Sequence, residues 1–106
     1  MKEKILVKNF WNKVSCGEEL YFHGDSDEKA FIAQSKIRYE LEPYIVNFAD
    51  FASTKNKKVL EIGVGLGADH QCFAEAGAHL YGIILTERAI LNTKKRFELF
   101  NLASII

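Results

Sequence analysis

Three glycines fall on alternate positions in the stretch VLEIGVGLGADH, residues 59–70: Gly63, Gly65 and Gly67. The whole chain has only seven glycines and one proline, so three within five residues is a strong local constraint. Glycine weakens strand and helix alike. Its concentration directly after the apolar run Val59–Ile62 fits a backbone that turns sharply, or one that something approaches closely. The flanking segments decide between these.

Those flanks read as alternating strands and helices. Val59 to Ile62 is a short apolar strand. A helix from about Ala68 to Ala76 buries Cys72, Phe73 and Ala76, with Gly77 placed to cap its end. His79 to Leu85 reads as a second strand, apolar on both faces as buried parallel strands are. Thr86 is a good N-cap, and Glu87 complements the dipole of the helix that follows. That helix runs to about Phe100 with Ile90, Thr93, Phe97 and Phe100 on one side. Ser104-Ile105-Ile106 looks like the beginning of a third strand. The expected class is therefore α/β, a βαβα unit with parallel strands and a right-handed crossover.

Residues 1–57 form an N-terminal extension to this unit, which occupies 58–106. The extension opens on an irregular aromatic stretch with Phe10, Trp11, Tyr21 and Phe22, expected to pack on the rest of the chain or to cover a ligand. A helix then starts near Asp25, which forms a capping box with Glu28. Ala30, Ala33, Ile37 and Leu41 recur on its inward face. Pro43 ends it and suits the first turn of a second helix, which carries Ile45, Phe48, Ala49 and Ala52 inward. Lys55 to Lys58 is a polar connection.

Composition narrows the function. With 106 residues the chain is one domain at most, and 48% apolar residues provide for a real core. Fourteen basic and fourteen acidic side chains leave no net charge, so the electrostatic footprint of a nucleic-acid binder is missing. The lysines of MKEKILVKNFWNK read as a solvated basic end. No run approaches the ~20 apolar residues of a membrane span, and Ile5-Leu6-Val7 is too short for a signal peptide. Cys16 and Cys72 make neither a disulfide framework nor a metal spacing. A cytoplasmic, soluble protein is expected. His23, His70 and His79 have no partners at metal spacing, His70 reads as a surface or capping residue, and no catalytic base stands out.

A glycine-rich turn between a parallel strand and a helix lets a ligand press on bare backbone at the helix N-terminus. Gly63-x-Gly65-x-x-Ala68 fits the dinucleotide pattern, and Gly63-x-Gly65-x-Gly67 fits the tighter pattern of enzymes that use S-adenosylmethionine. The glycines alone do not separate the two. Glu61 favours the second. It lies two residues before the first glycine, where a carboxylate repels pyrophosphate and attracts an ammonium.

VLEIGVGLG, followed by YGIILTERAI and KKRFELFNL, resembles the first half of a class I S-adenosylmethionine-dependent methyltransferase. Arg38-Tyr39-Glu40-Leu41-Glu42-Pro43 is similar to the leader segment of small-molecule members of that family. The resemblance spans residues 25–106, is strongest over 58–102, and stops where a third strand begins. It implies a Rossmann-like sheet and S-adenosylmethionine as cofactor, with Glu61, Gly63, Gly65, Gly67, Ile84 and Leu85 lining its site and a small molecule as methyl acceptor. Ile84 departs from the pattern: the family usually has an acidic residue there that holds both ribose hydroxyls. Two other readings stay open, a non-enzymatic assembly module that keeps the fold and, more weakly, a dinucleotide-binding domain. The Val59–Ile62 strand, central in a doubly wound sheet, is left with an open apolar edge, so a homo-oligomer that covers this edge or the sheet faces is expected.

Overall fold

The computed structural model describes residues 3–6 and 28–106. The aromatic stretch from Phe10 to Phe22, the Asp25 cap, Cys16 and His23 lie outside the described residues. From Glu28 onward the order is α1 (Glu28–Leu41), α2 (Tyr44–Ala49), a 3-10 turn (Phe51–Thr54), β1 (Lys58–Ile62), α3 (Ala68–Glu75), β2 (His79–Ile83) and α4 (Glu87–Leu99). None of the described helices is long and apolar enough to cross a membrane.

The fold is mixed α/β. β1 and β2 pair in parallel, from Lys58 opposite His79 to Ile62 opposite Ile83. The expected third strand is present as a single parallel bridge between Tyr81 and Ile105. The Ile105 N–H donates to Leu80 O at 3.0 Å, and the Gly82 N–H to Ile105 O at 2.8 Å. β2 is therefore flanked on both sides, whereas β1 pairs only with β2 among the described strands.

Local signals placed most boundaries. Pro43, at φ −65°, caps α2 as its fixed ring geometry favours. Thr86 Oγ1 accepts from Ala89 N at 3.2 Å and opens α4. Gly77, at φ +92°, closes α3, its N–H donating to Ala74 O at 3.0 Å. Asp50 takes a left-handed conformation, φ 47°. It stops α2, so the chain continues as a separate 3-10 turn before β1.

The inward faces differ from those expected in four places. In α1 the buried residues are Phe31 and Gln34, while Ala33 and Leu41 are exposed. The helix is rotated because it packs on α3 and α4 and supplies polar groups to a buried arginine described below. In α2, Phe48 is 90% exposed and Ala52 beyond it is also exposed; Ile45 and Ala49 are half-buried. In α3, Ala68 and His70 are buried, whereas Cys72, Phe73 and Ala76 are half-buried. β2 ends at Ile83 rather than Leu85, and the described residues cover the sheet on one face only. Leu60, Ile62, Tyr81 and Ile83 alternate with the covered positions and remain exposed, Ile62 to 75%. α4 buries Thr93 and Phe97 of its expected face, leaves Ile90 and Phe100 half-buried, and adds Ala89 and Arg96.

Candidate functional site

The glycine loop leaves the C-terminal end of β1 and enters α3. All three glycines have positive φ: 74° at Gly63, 63° at Gly65 and 88° at Gly67. At Gly67 the reason is packing as well as conformation. A Cβ there would lie 3.3 Å from Thr93 Oγ1 and 3.4 Å from Arg96 Cδ, so glycine lets α4 come close beneath the loop. Gly63 has nothing within 4 Å on that side. One glycine thus serves the fold, and another leaves its backbone open.

Above the loop lies a cavity of about 370 Å³, within the range of small-molecule sites. Glu61, Gly63, Gly65 and Gly67 all line it, together with Arg38 and Asp69. Ile84 and Leu85 do not. They follow β2, Ile84 half-buried and Leu85 exposed, and neither belongs to this lining.

Three interlocking groups hold the cavity walls. Arg38 of α1 grips Asp69 of α3 with both arms, Nε to Oδ1 at 3.1 Å and Nη2 to Oδ2 at 2.8 Å. Such bidentate pairs fix orientation as well as charge. Asp69 raises the pKa of Arg38 further, and Glu42, the residue after α1, stands 4.0 Å away. The Tyr39 hydroxyl also donates to Asp69 Oδ1, at 2.7 Å, and touches Cys72 Sγ at 3.3 Å. Burial pushes both the Tyr39 hydroxyl and the Cys72 thiol up. Cys72 is therefore held as a thiol rather than a thiolate nucleophile.

The second group is Glu61 with His70. Glu61 Oε1 lies 2.9 Å from His70 Nδ1, and His70 Nε2 lies 2.6 Å from Ser104 Oγ. His70 is wholly buried, not a surface or capping residue as the sequence reading has it. It stacks on Phe97 at 5.2 Å and fills the space that Gly82 leaves beside Glu61, where a Cβ would stand 3.1 Å from the ring. Burial pushes the Glu61 carboxyl above its ordinary range, and the His70 contact pulls it back. Glu61 keeps 17% of its side chain exposed, at the cavity.

The third group is Arg96, which sequence reasoning missed. Its guanidinium is wholly buried and bonds Gln71 Oε1 at 2.6 Å, Gln34 Oε1 at 2.6 Å, Leu66 O at 3.0 Å, Phe31 O at 3.1 Å and Ser35 Oγ. It also stands over the Phe31 ring at 5.0 Å. No carboxylate among the described residues pairs with it, and burial lowers its pKa to about 10, so it remains a cation at neutral pH. With Thr93 Oγ1 donating to Gly65 O at 3.2 Å, Arg96 ties α1, α3 and α4 to the carbonyls of the glycine loop.

No protein-family model, curated protein or solved structure matches the chain.

Proposed function

We propose that the chain is the cofactor-binding part of an S-adenosylmethionine-dependent methyltransferase with a Rossmann-like sheet. The observation that carries this reading is Glu61. Its carboxylate stands beside the glycine loop in the wall of the cavity, at the C-terminal end of a parallel strand. Ligands of open parallel sheets bind at that end. A carboxylate in this position repels a pyrophosphate and attracts the ammonium of a methionine moiety. The lining also holds Glu42 and Asp69, and Arg38, its cation among the described residues, is bound to Asp69, so the lining is net negative. That suits an ammonium-bearing end better than a polyanion. Methyl transfer from a sulfonium needs chiefly an in-line approach, so positioning would carry the catalysis.

Calorimetric titration with S-adenosylhomocysteine, S-adenosylmethionine and NAD checks the ligand class. Either sulfur compound is expected to bind at least tenfold more tightly than NAD, a difference of about 1.4 kcal/mol. Tighter binding of NAD would reject the reading and restore the dinucleotide alternative.

The exposed sheet face favours a second, compatible reading as an assembly module. Leu60, Ile62, Tyr81, Ile83 and Ile105 leave apolar side chains in water on the uncovered side. Parallel sheets are almost always covered on both faces, and a second copy is the economical cover. Light scattering is expected to give at least a dimer. Ile62→Lys should shift it toward monomer, and a parent chain monomeric at millimolar concentration would sink this reading.

A further inference from the structure

The chain Glu61–His70–Ser104 runs from the cavity wall to the last strand, and its hydrogen atoms can be counted. We propose that these three residues form one proton-sharing unit. In it, His70 and Ser104 are positioning residues that set the charge Glu61 presents, and a ligand ammonium arriving at Glu61 drives one proton out to solvent. The proposal rests on the cofactor reading above for the identity of the ligand.

The Ser104 hydroxyl has a single hydrogen, which it donates to Leu80 O at 3.2 Å. Ser104 Oγ must then accept from His70 Nε2–H across the 2.6 Å contact. With Nε2 protonated, Nδ1 and Glu61 Oε1, 2.9 Å apart, share one proton between them. Written as carboxylic acid and imidazole, or as carboxylate and imidazolium, the pair is neutral. A neutral pair has little hold on a cation.

Loss of one proton gives the anionic form. Nδ1–H then donates to the Glu61 carboxylate, Nε2 carries a lone pair, and the Ser104 hydroxyl turns from Leu80 O to Nε2. Leu80 O is not orphaned, because it still accepts the Ile105 N–H at 3.0 Å. The turn therefore leaves no buried group unsatisfied. The Nε2 proton is the one lost in this accounting, and one proton appears in solvent for each ammonium bound. Glu61 Oε2 has no hydrogen bond from the described residues, so it is the oxygen left to the ligand.

The surroundings allow both forms. From α3, Asp69 raises the Glu61 carboxyl, and from α1, Arg38 lowers it; the two are bound to each other, and Arg38 also faces Glu42. α4 contributes the Phe97 ring against His70, and β2 contributes Gly82, which has no side chain. No fixed charge locks the unit in one form.

Two measurements on the full chain test this. The first is calorimetric titration with S-adenosylhomocysteine in pairs of buffers of different ionisation enthalpy, acetate and MES at pH 5 to 6 and phosphate and Tris at pH 7 to 8. Release of up to one proton per ligand is expected, largest at low pH, with affinity rising by as much as tenfold per pH unit where release is complete. Glu61→Gln, whose amide oxygen can still accept from Nδ1–H, should abolish the release and weaken binding. Binding by the parent chain without proton release at any of these pH values would overturn the proposal. The second is the imidazole 15N shifts of His70 in the free protein. A change with pH from an Nε2-protonated ring to the Nδ1–H tautomer supports proton sharing. A neutral Nδ1–H ring throughout overturns it, whether or not any ligand binds. Failure of S-adenosylhomocysteine to bind overturns the cofactor reading and the ligand half of the proposal, while the ring nitrogens still decide the proton sharing.

Discussion

Arg96→Ala is expected to lower the melting temperature by about 15 °C, the largest single-residue effect in the described structure. Truncation removes every bond of a wholly buried guanidinium. It orphans acceptors on α1, α3 and the glycine loop, and each buried acceptor left without a donor costs about 1–3 kcal/mol. A cavity opens as well. Against this, a cation without a carboxylate partner no longer has to be buried, which returns part of the loss. A net cost of about 3 kcal/mol remains, and for a domain of this size each kcal/mol shifts melting by about 4–8 °C. Arg96→Lys keeps the charge but has no planar fork to span three elements, so it should recover less than half the loss. Circular dichroism melting curves measure both. An alanine variant melting within about 3 °C of the parent would show that the polar knot is dispensable.

The second large effect belongs to His70→Leu, and it depends on pH. Leucine fills the slot beside Gly82 but leaves the Glu61 carboxylate without its partner. Burial, the main influence left on Glu61, then raises its pKa further than in the parent, where His70 opposes that rise. A carboxyl with a raised folded-state pKa binds more protons in the folded than in the unfolded chain. Its contribution to stability is therefore full below the unfolded value of about 4.3 and is lost as pH climbs through the folded value. Denaturant titrations should show the variant less stable than the parent by about 3 kcal/mol at pH 8, because a buried charge has lost its partner. At pH 5 the deficit should shrink to about 1 kcal/mol. Equal deficits at the two pH values would mean that Glu61 is not the group exposed to the change.

Both effects arise from residues whose roles the sequence did not announce, and the reason is physical. Periodicity ranks positions by apolarity, so it found Thr93 and Phe97 on α4 but passed over Arg96 between them. The partners that make Arg96 suited to burial are far off in the chain: Gln34 is 62 residues away. Ser104, which completes the bonding of His70, is 34 residues from it. Local signals behaved differently. The alternate glycines, the Thr86 cap and Pro43 act within a few residues, and the loop, the start of α4 and the start of α2 lie where those signals put them. The cavity-lining role of Glu61 was legible for the same reason, since a carboxylate in an apolar strand before a glycine turn is a local anomaly. One further clue was present and unused. Gly82 sits inside a strand, where a missing side chain marks something close by, and that something is the His70 ring. The rotated face of α1 had a clue too: Gln34 and Ser35 interrupt its apolar positions on the side that meets Arg96.

The uncovered sheet face also governs how the protein behaves in bulk. Fourteen positive and fourteen negative side chains cancel near neutral pH, so one molecule does not repel another at long range. With Leu60, Ile62, Tyr81, Ile83 and Ile105 open to water, contact between such faces is favoured and meets no electrostatic barrier. Salting-out ions strengthen that contact, and moving several pH units from neutrality opposes it by charging every copy alike. Colloidal stability, rather than unfolding, is then expected to set the concentration at which this chain stays dispersed, and light scattering against concentration at two pH values checks it.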